Sequence, residues 1–144
     1  MIGPLLCAWL MADPPEGFDY RADLPGGNVF VDWHPDQPDL SVAVMTRPGP
    51  APDDSFFGYD RTRIQFIVRG PKGGQRVAFG LCEAIMDRLA GLHSVELDEG
   101  VIVVGAQALD SQPASIGTDE AGRPEYDCHM EVEVTREGGL RPLS

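Results

Sequence analysis

The sequence predicts an α+β fold, an antiparallel-rich β-sheet with two helices packed on one face. Three observations predict it. The elements read helix, strand, strand, strand, helix, strand, strand, without the regular strand–helix alternation of a doubly wound parallel sheet. Two stretches, 61–70 and 125–137, alternate side-chain character with a period of two. One stretch, 75–92, repeats apolar residues at spacings of three and four. The 144 residues suit a single domain over 1–144. A domain of that size buries roughly 68–70% of the surface its unfolded chain exposes, enough for one core.

The opening MIGPLLCAWLMAD is expected to form a short helix over 1–13, with Pro4 tolerated in its first turn and Asp13-Pro14-Pro15 ending it. It lacks a positive n-region and a clear cleavage site, which argues against a signal peptide, and it is too short to span a bilayer. NVFVDW (28–33) is a candidate strand with Val29 and Val31 on one side and Phe30 and Asp32 on the other. HPDQPD (34–39) reads as a turn, and LSVAVMTR (40–47) as a second strand, so the two form a hairpin-like pair. PGPAPDDSFFGYD (48–60) is a long protruding loop rich in proline and acid. Its Phe56, Phe57 and Tyr59 either cap the core or anchor in a neighbouring subunit.

RTRIQFIVRG (61–70) is the clearest central strand: Thr62, Ile64, Phe66 and Val68 line one face, and Arg61, Arg63, Gln65, Ile67 and Arg69 the other. PKGG turns the chain into a helix over 75–92, whose apolar stripe is Ala78, Leu81, Cys82, Ile85, Leu89 and Leu92. Gly91 sits where a helix stops. VELDEG is a link, VIVVGAQAL (101–109) a strand with a bulge expected at Gly105, and 110–125 a polar crossover. The last strand, 125–137, points Tyr126, Cys128, Met130, Val132 and Val134 inward and Glu125, Asp127, His129, Glu131 and Glu133 outward. Residues 138–144 form a loose tail.

The net charge is −12, with 10 acids against 2 bases in residues 1–60 and 13 against 9 in residues 61–144. Gripping nucleic acid needs Lys and Arg to displace counterions from phosphates. A chain this acidic, with no basic run, is not built for that. Cys7, Cys82 and Cys128 have neither CxxC nor zinc spacing and lie in apolar patterns, so they read as buried thiols in a reducing compartment.

Catalytic and cofactor chemistry has no signature here, and no cofactor or metal is expected. VRGPKGGQR follows a strand and precedes a helix, but fits neither the Walker pattern nor GxGxxG. His34, His93 and His129 have no metal-ligand spacing. Cys128 and His129 point to opposite faces of their strand, which excludes a nucleophile–base pair.

The informative feature is the outer sheet face, with arginines on one strand and carboxylates on another. They either pair across strands of one chain, at about 0.2–1 kcal/mol each, or form a self-complementary surface between subunits that closes into a ring. On the second reading the interface residues are Arg61, Arg63, Arg69, Glu131 and Glu133, with Phe56, Phe57 and Tyr59 of the loop.

Residues 61–136 resemble the tail terminator or minor capsid (neck) proteins of long-tailed phages. The resemblance rests on RTRIQFIVRG, on the helix after it, and on a segment that supplies Pro113, Ile116, Gly117, Asp119, Gly122, Arg123 and Tyr126 ahead of an alternating final strand. It implies a non-enzymatic virion subunit assembled in the host cytoplasm, typically as a hexameric ring on the head-proximal end of the tail tube. Its partners are then further copies of itself, the tail tube protein and the head-side connector or stopper. It binds neither nucleic acid nor membrane, and DNA passes through the lumen. Two alternatives stay open: a head-completion or adaptor protein of the neck, and a monomeric accessory domain that binds a small ligand.

Overall fold

A computed structural model of the chain describes residues 2–22, 25–47, 59–97 and 100–136. Among them run α1 (Ile2–Leu10), β1 (Val29–Val31), β2 (Ser41–Arg47), β3 (Tyr59–Arg69), α2 (Gln75–Leu89), β4 (His93–Glu96), β5 (Val101–Ala108), β6 (Ala114–Thr118) and β7 (Pro124–Arg136). The strands form one mixed, mostly antiparallel sheet in the order β1-β2-β3-β7-β5-β4, with β6 also paired to β7. The α+β class holds. Most of the loop expected over 48–60, including Phe56 and Phe57, and the tail over 138–144 lie outside the described residues; Tyr59 opens β3.

One face of the sheet is the core. Val42, Val44, Ile64, Phe66, Val68, Cys128, Met130 and Val132 are all fully buried there. They share one cluster with Leu6, Cys7 and Leu10 of α1 and Leu81, Cys82, Ile85 and Leu89 of α2, so both helices cover the same face. Gly70 lets α2 start tight against the end of β3: a Cβ there would lie 2.8 Å from the Gly74 carbonyl oxygen and 3.0 Å from the Ala78 Cβ. α2 stops at Ala90, followed by Gly91 at φ +84°, the left-handed conformation glycine adopts at no steric cost. Burial pushes the Cys7 thiol up to about 12, and a hydrogen bond to Cys82 together with burial raises Cys128, so both stay protonated and unreactive.

Four local expectations are corrected. β1 and β2 are parallel, with Val29 opposite Val42 and Val31 opposite Val44, and do not form a hairpin. The alternation of apolar residues is the same for either direction. The segment between them runs back along the strand, starting from Asp32 at φ 63°. The link after α2 contains β4, and the crossover after β5 contains β6, which pairs antiparallel with β7. Every residue of β6 is exposed, so it carries no apolar face to announce it. The first helix ends at Leu10 and continues only as single turns to Asp13. The expected bulge in β5 is present, between Val103 and Gly105.

Candidate functional site

The face of the sheet away from the helices is polar. β3 and β7 pair antiparallel in a register that sets Arg61 opposite Glu133, Arg63 opposite Glu131, and Arg69 opposite Glu125. The structure therefore brings the predicted arginines and acids together within one chain. Arg63 Nε lies 3.7 Å from Glu131 Oε2, with the arginine side chain 49% exposed. That is an ion pair beyond hydrogen-bond range, and such exposed pairs contribute about 0.2–1 kcal/mol. In register, Tyr59 is paired with Thr135 at the far end of the same ladder.

A row of polar contacts crosses the face beside this ladder. Arg47 Nη2 donates to Gln65 Oε1 at 2.7 Å, and Gln65 Nε2 donates to Asp127 Oδ2 at 2.8 Å. Asp127 is buried. His129 Nδ1 sits 3.1 Å from Asp110 Oδ2, which also accepts the His129 backbone N–H at 3.1 Å. Four segments, β2, β3, β7 and the turn after β5, are thereby held in fixed relation. A buried carboxylate is tolerated only with such partners.

At one end of the face two guanidinium groups organise the 36–39 loop. Arg123 is almost wholly buried; its Nε pairs with Asp119 Oδ2 at 2.8 Å, Nη1 with Asp39 Oδ1 at 3.0 Å, and Nη2 with Asp36 Oδ1 at 2.7 Å. Asp119 Oδ1 in turn accepts the backbone N–H groups of Ala121 and Arg123, at 3.0 and 2.9 Å, and so caps the β6–β7 turn. Gly122 in that turn has φ +79°. Three of the residues that carried the resemblance, Asp119, Gly122 and Arg123, thus build one turn and its clamp.

Arg69 is also buried, and its guanidinium donates to the carbonyl oxygens of Pro38 (2.8 Å), Asp36 (3.1 Å) and Asp39 (3.3 Å). His34 Nε2 lies 2.8 Å from Ser41 Oγ. Burial, and then the charges of Arg69 and Arg123, lower the His34 pKa to about 4, so it is neutral near pH 7. The side-chain hydrogen bond from Arg123 holds the Asp36 carboxyl below its ordinary range, and the Arg123 backbone N–H does the same for Asp119. Burial raises Glu125. A polar cavity of about 530 Å³ opens beside these groups. The guanidinium donors named here already face carboxylates and carbonyls, so the cluster braces a loop.

Sequence reasoning did not assign this brace. One signal was available: Arg123 is the only Lys or Arg between Arg88 and Arg136, in a stretch crowded with acids. Among the described residues no group of three or more His, Cys, Asp or Glu is arranged to hold a metal ion.

A family profile described as "Bacteriophage tail terminator protein" matches residues 11–136. No curated protein matches the sequence. The matched span runs from the end of α1 to the end of β7, and so contains the whole sheet and the Arg123 clamp.

Proposed function

Because the chain belongs to the bacteriophage tail terminator family, whose members are structural proteins of the virion tail, we propose that it forms a ring, hexameric in the usual case, on the head-proximal end of the tail tube. The ring stops tube polymerisation and offers its upper surface to the head-side connector. The observation that carries this reading is the two-faced sheet: helices seal one face, while the other sets the arginines of β3 opposite the acids of β7 in fixed register.

On this reading the docking surface is built around Arg61, Arg63, Glu131 and Glu133, together with the aromatics Phe56, Phe57 and Tyr59 of the preceding arm. Arg69 supports that surface from below by holding the 36–39 loop. A polar face whose side chains are already positioned loses little conformational entropy when a partner covers it. Contacts between copies are then head-to-tail, and such contacts close into a ring when the rotation permits.

The charge fits a conduit. Six chains at −12 each carry −72. DNA moving through an acidic collar is repelled by it, because the attraction that drives phosphate binding has its sign reversed.

The test is tail length in particles assembled without this chain. Tubes longer than normal, unattached to heads, are the expected outcome. Tubes of normal length joined to full heads would refute the assignment.

A further inference from the structure

Hydrogen bonds at one end of the sheet lead from β7 to a groove beside α1. Arg136, the last residue of β7, is paired with Val101, and the Val101 carbonyl accepts the Leu97 backbone N–H at 2.7 Å. Leu97 lines a groove of about 300 Å³ together with Glu96 and with Leu5, Ala8 and Trp9 of α1. Leu97 is buried, Leu5 and Trp9 are half-buried against the core, and Ala8 is exposed. Glu96 is the one charged side chain of these five, and it is exposed. Asp98 and Glu99 follow it in the sequence.

We propose that residues 140–143 of the same chain fill this groove, so that the segment after β7 straps α1 to the paired strands β4 and β5. The segment reads EGGLRPLS over 137–144 and lies outside the described residues. Its leucines have no apolar pattern of their own to join, and the groove offers them an apolar wall. Pro142 restricts Arg141 to extended or polyproline II backbone. Polyproline II has three residues per turn, so Leu140 and Leu143 fall on one side and Arg141 on another. Proline-containing segments dock on aromatic-lined grooves in this way, and Trp9 supplies the aromatic. Arg141 complements the acids Glu96, Asp98 and Glu99.

Reach selects the chain's own segment. From Arg136 across Val101 to Leu97 is two strand spacings, about 10 Å. Leu140 is four residues beyond Arg136, and four residues span up to about 14 Å. Gly138 and Gly139 lie between them and let the backbone turn off the strand. A short flexible tether of this kind sets an effective concentration of about millimolar. The same segment on a free second copy matches that only when the protein itself is millimolar. The docking goes beyond the ring reading and does not depend on it.

The test is quenching of tryptophan fluorescence by acrylamide. Trp9 and Trp33 are the two tryptophans of the chain, so Trp33→Phe leaves Trp9 as the reporter. In that background the full chain is compared with a variant stopped after Glu137 and with a variant carrying Leu140→Ser and Leu143→Ser. Both variants should raise the Trp9 quenching constant roughly twofold, as a covered indole becomes open to solvent, while circular dichroism stays native. The leucine variant decides the matter if truncation alone disturbs folding. Equal quenching in the full chain and the leucine variant overturns the proposal. Quenching of the full chain that rises to the variants' level on dilution to monomer overturns it in favour of a neighbour's segment.

Discussion

Arg123 and Asp36 are joined at 2.7 Å although 87 residues of chain separate them. The contact ties the β6–β7 turn to the loop that returns β1 to β2, at opposite ends of the sequence. Replacing Arg123 with Ala would leave Asp36, Asp39 and Asp119 facing one another across an emptied site. Thermal melting should fall clearly, and by more than for Arg21→Ala, which breaks only an exposed pair. Arg123→Lys should recover only part of the loss, because an ammonium cannot serve three separated carboxylates at once. Equal melting temperatures for the Ala variants of Arg123 and Arg21 would show that the clamp does not brace the fold.

The same cluster sets a pH dependence. His34 has a folded pKa of about 4 against an ordinary 6.5. Between those values the unfolded chain binds a proton that the folded chain refuses, so stability rises with pH across that window. Asp36 and Asp119, held low by Arg123, add a loss of stability as pH falls through and below the ordinary carboxylate range. Glu125, raised by burial, works the other way, losing its contribution as pH rises through its folded pKa. Melting temperature should therefore fall from pH 6.5 to 4, and His34→Asn should flatten that decline. An unchanged slope in the variant would remove His34 from the account.

The charge ladder separates folding from docking. Arg63→Glu sets two acids opposite each other and should cost roughly 1 kcal/mol or less in urea melts, while impairing the joining of tails to heads. The double variant Arg63→Glu with Glu131→Arg restores the pair within the chain and should restore stability. If the face docks on a partner whose charges are unaltered, joining stays impaired. Normal joining by the stable single variant would exclude Arg63 from the docking surface. Arg69→Glu is unsuitable for this test, since it places a carboxylate among the backbone carbonyls that Arg69 now caps.

Among the described residues Phe66 is the largest fully buried side chain, and it lies on the helix-covered face. Phe66→Ala should destabilise by about 3–5 kcal/mol in urea unfolding. Trp33→Ala, at an exposed position, should change monomer stability little. The contrast assigns one aromatic to the core and the other to the surface, and similar losses for the two would contradict that division.

The sequence was most legible where a long element buries one stripe. β3, β7 and α2 each repeat apolar residues at the period of their geometry, and Ile64, Phe66, Val68, Cys128, Met130, Ile85 and Leu89 are buried as that repeat requires. The alternation also put Arg63 and Glu131 on one face. It could not place them opposite each other, because register depends on the whole pairing of two distant strands. β6 stayed hidden because an exposed five-residue strand has no apolar side. The parallel run of β1 beside β2 stayed hidden because direction leaves no mark on alternation. Arg123 was visible as part of a motif, but its clamp on residues 36–39 exists only once the chain has folded.

Native mass spectrometry of the purified chain over a range of concentrations tests the central claim most directly. The account predicts a closed ring that grows with concentration at the expense of the monomer, near 94 kDa for six chains of 15.6 kDa. A single 15.6 kDa species at every concentration would contradict it.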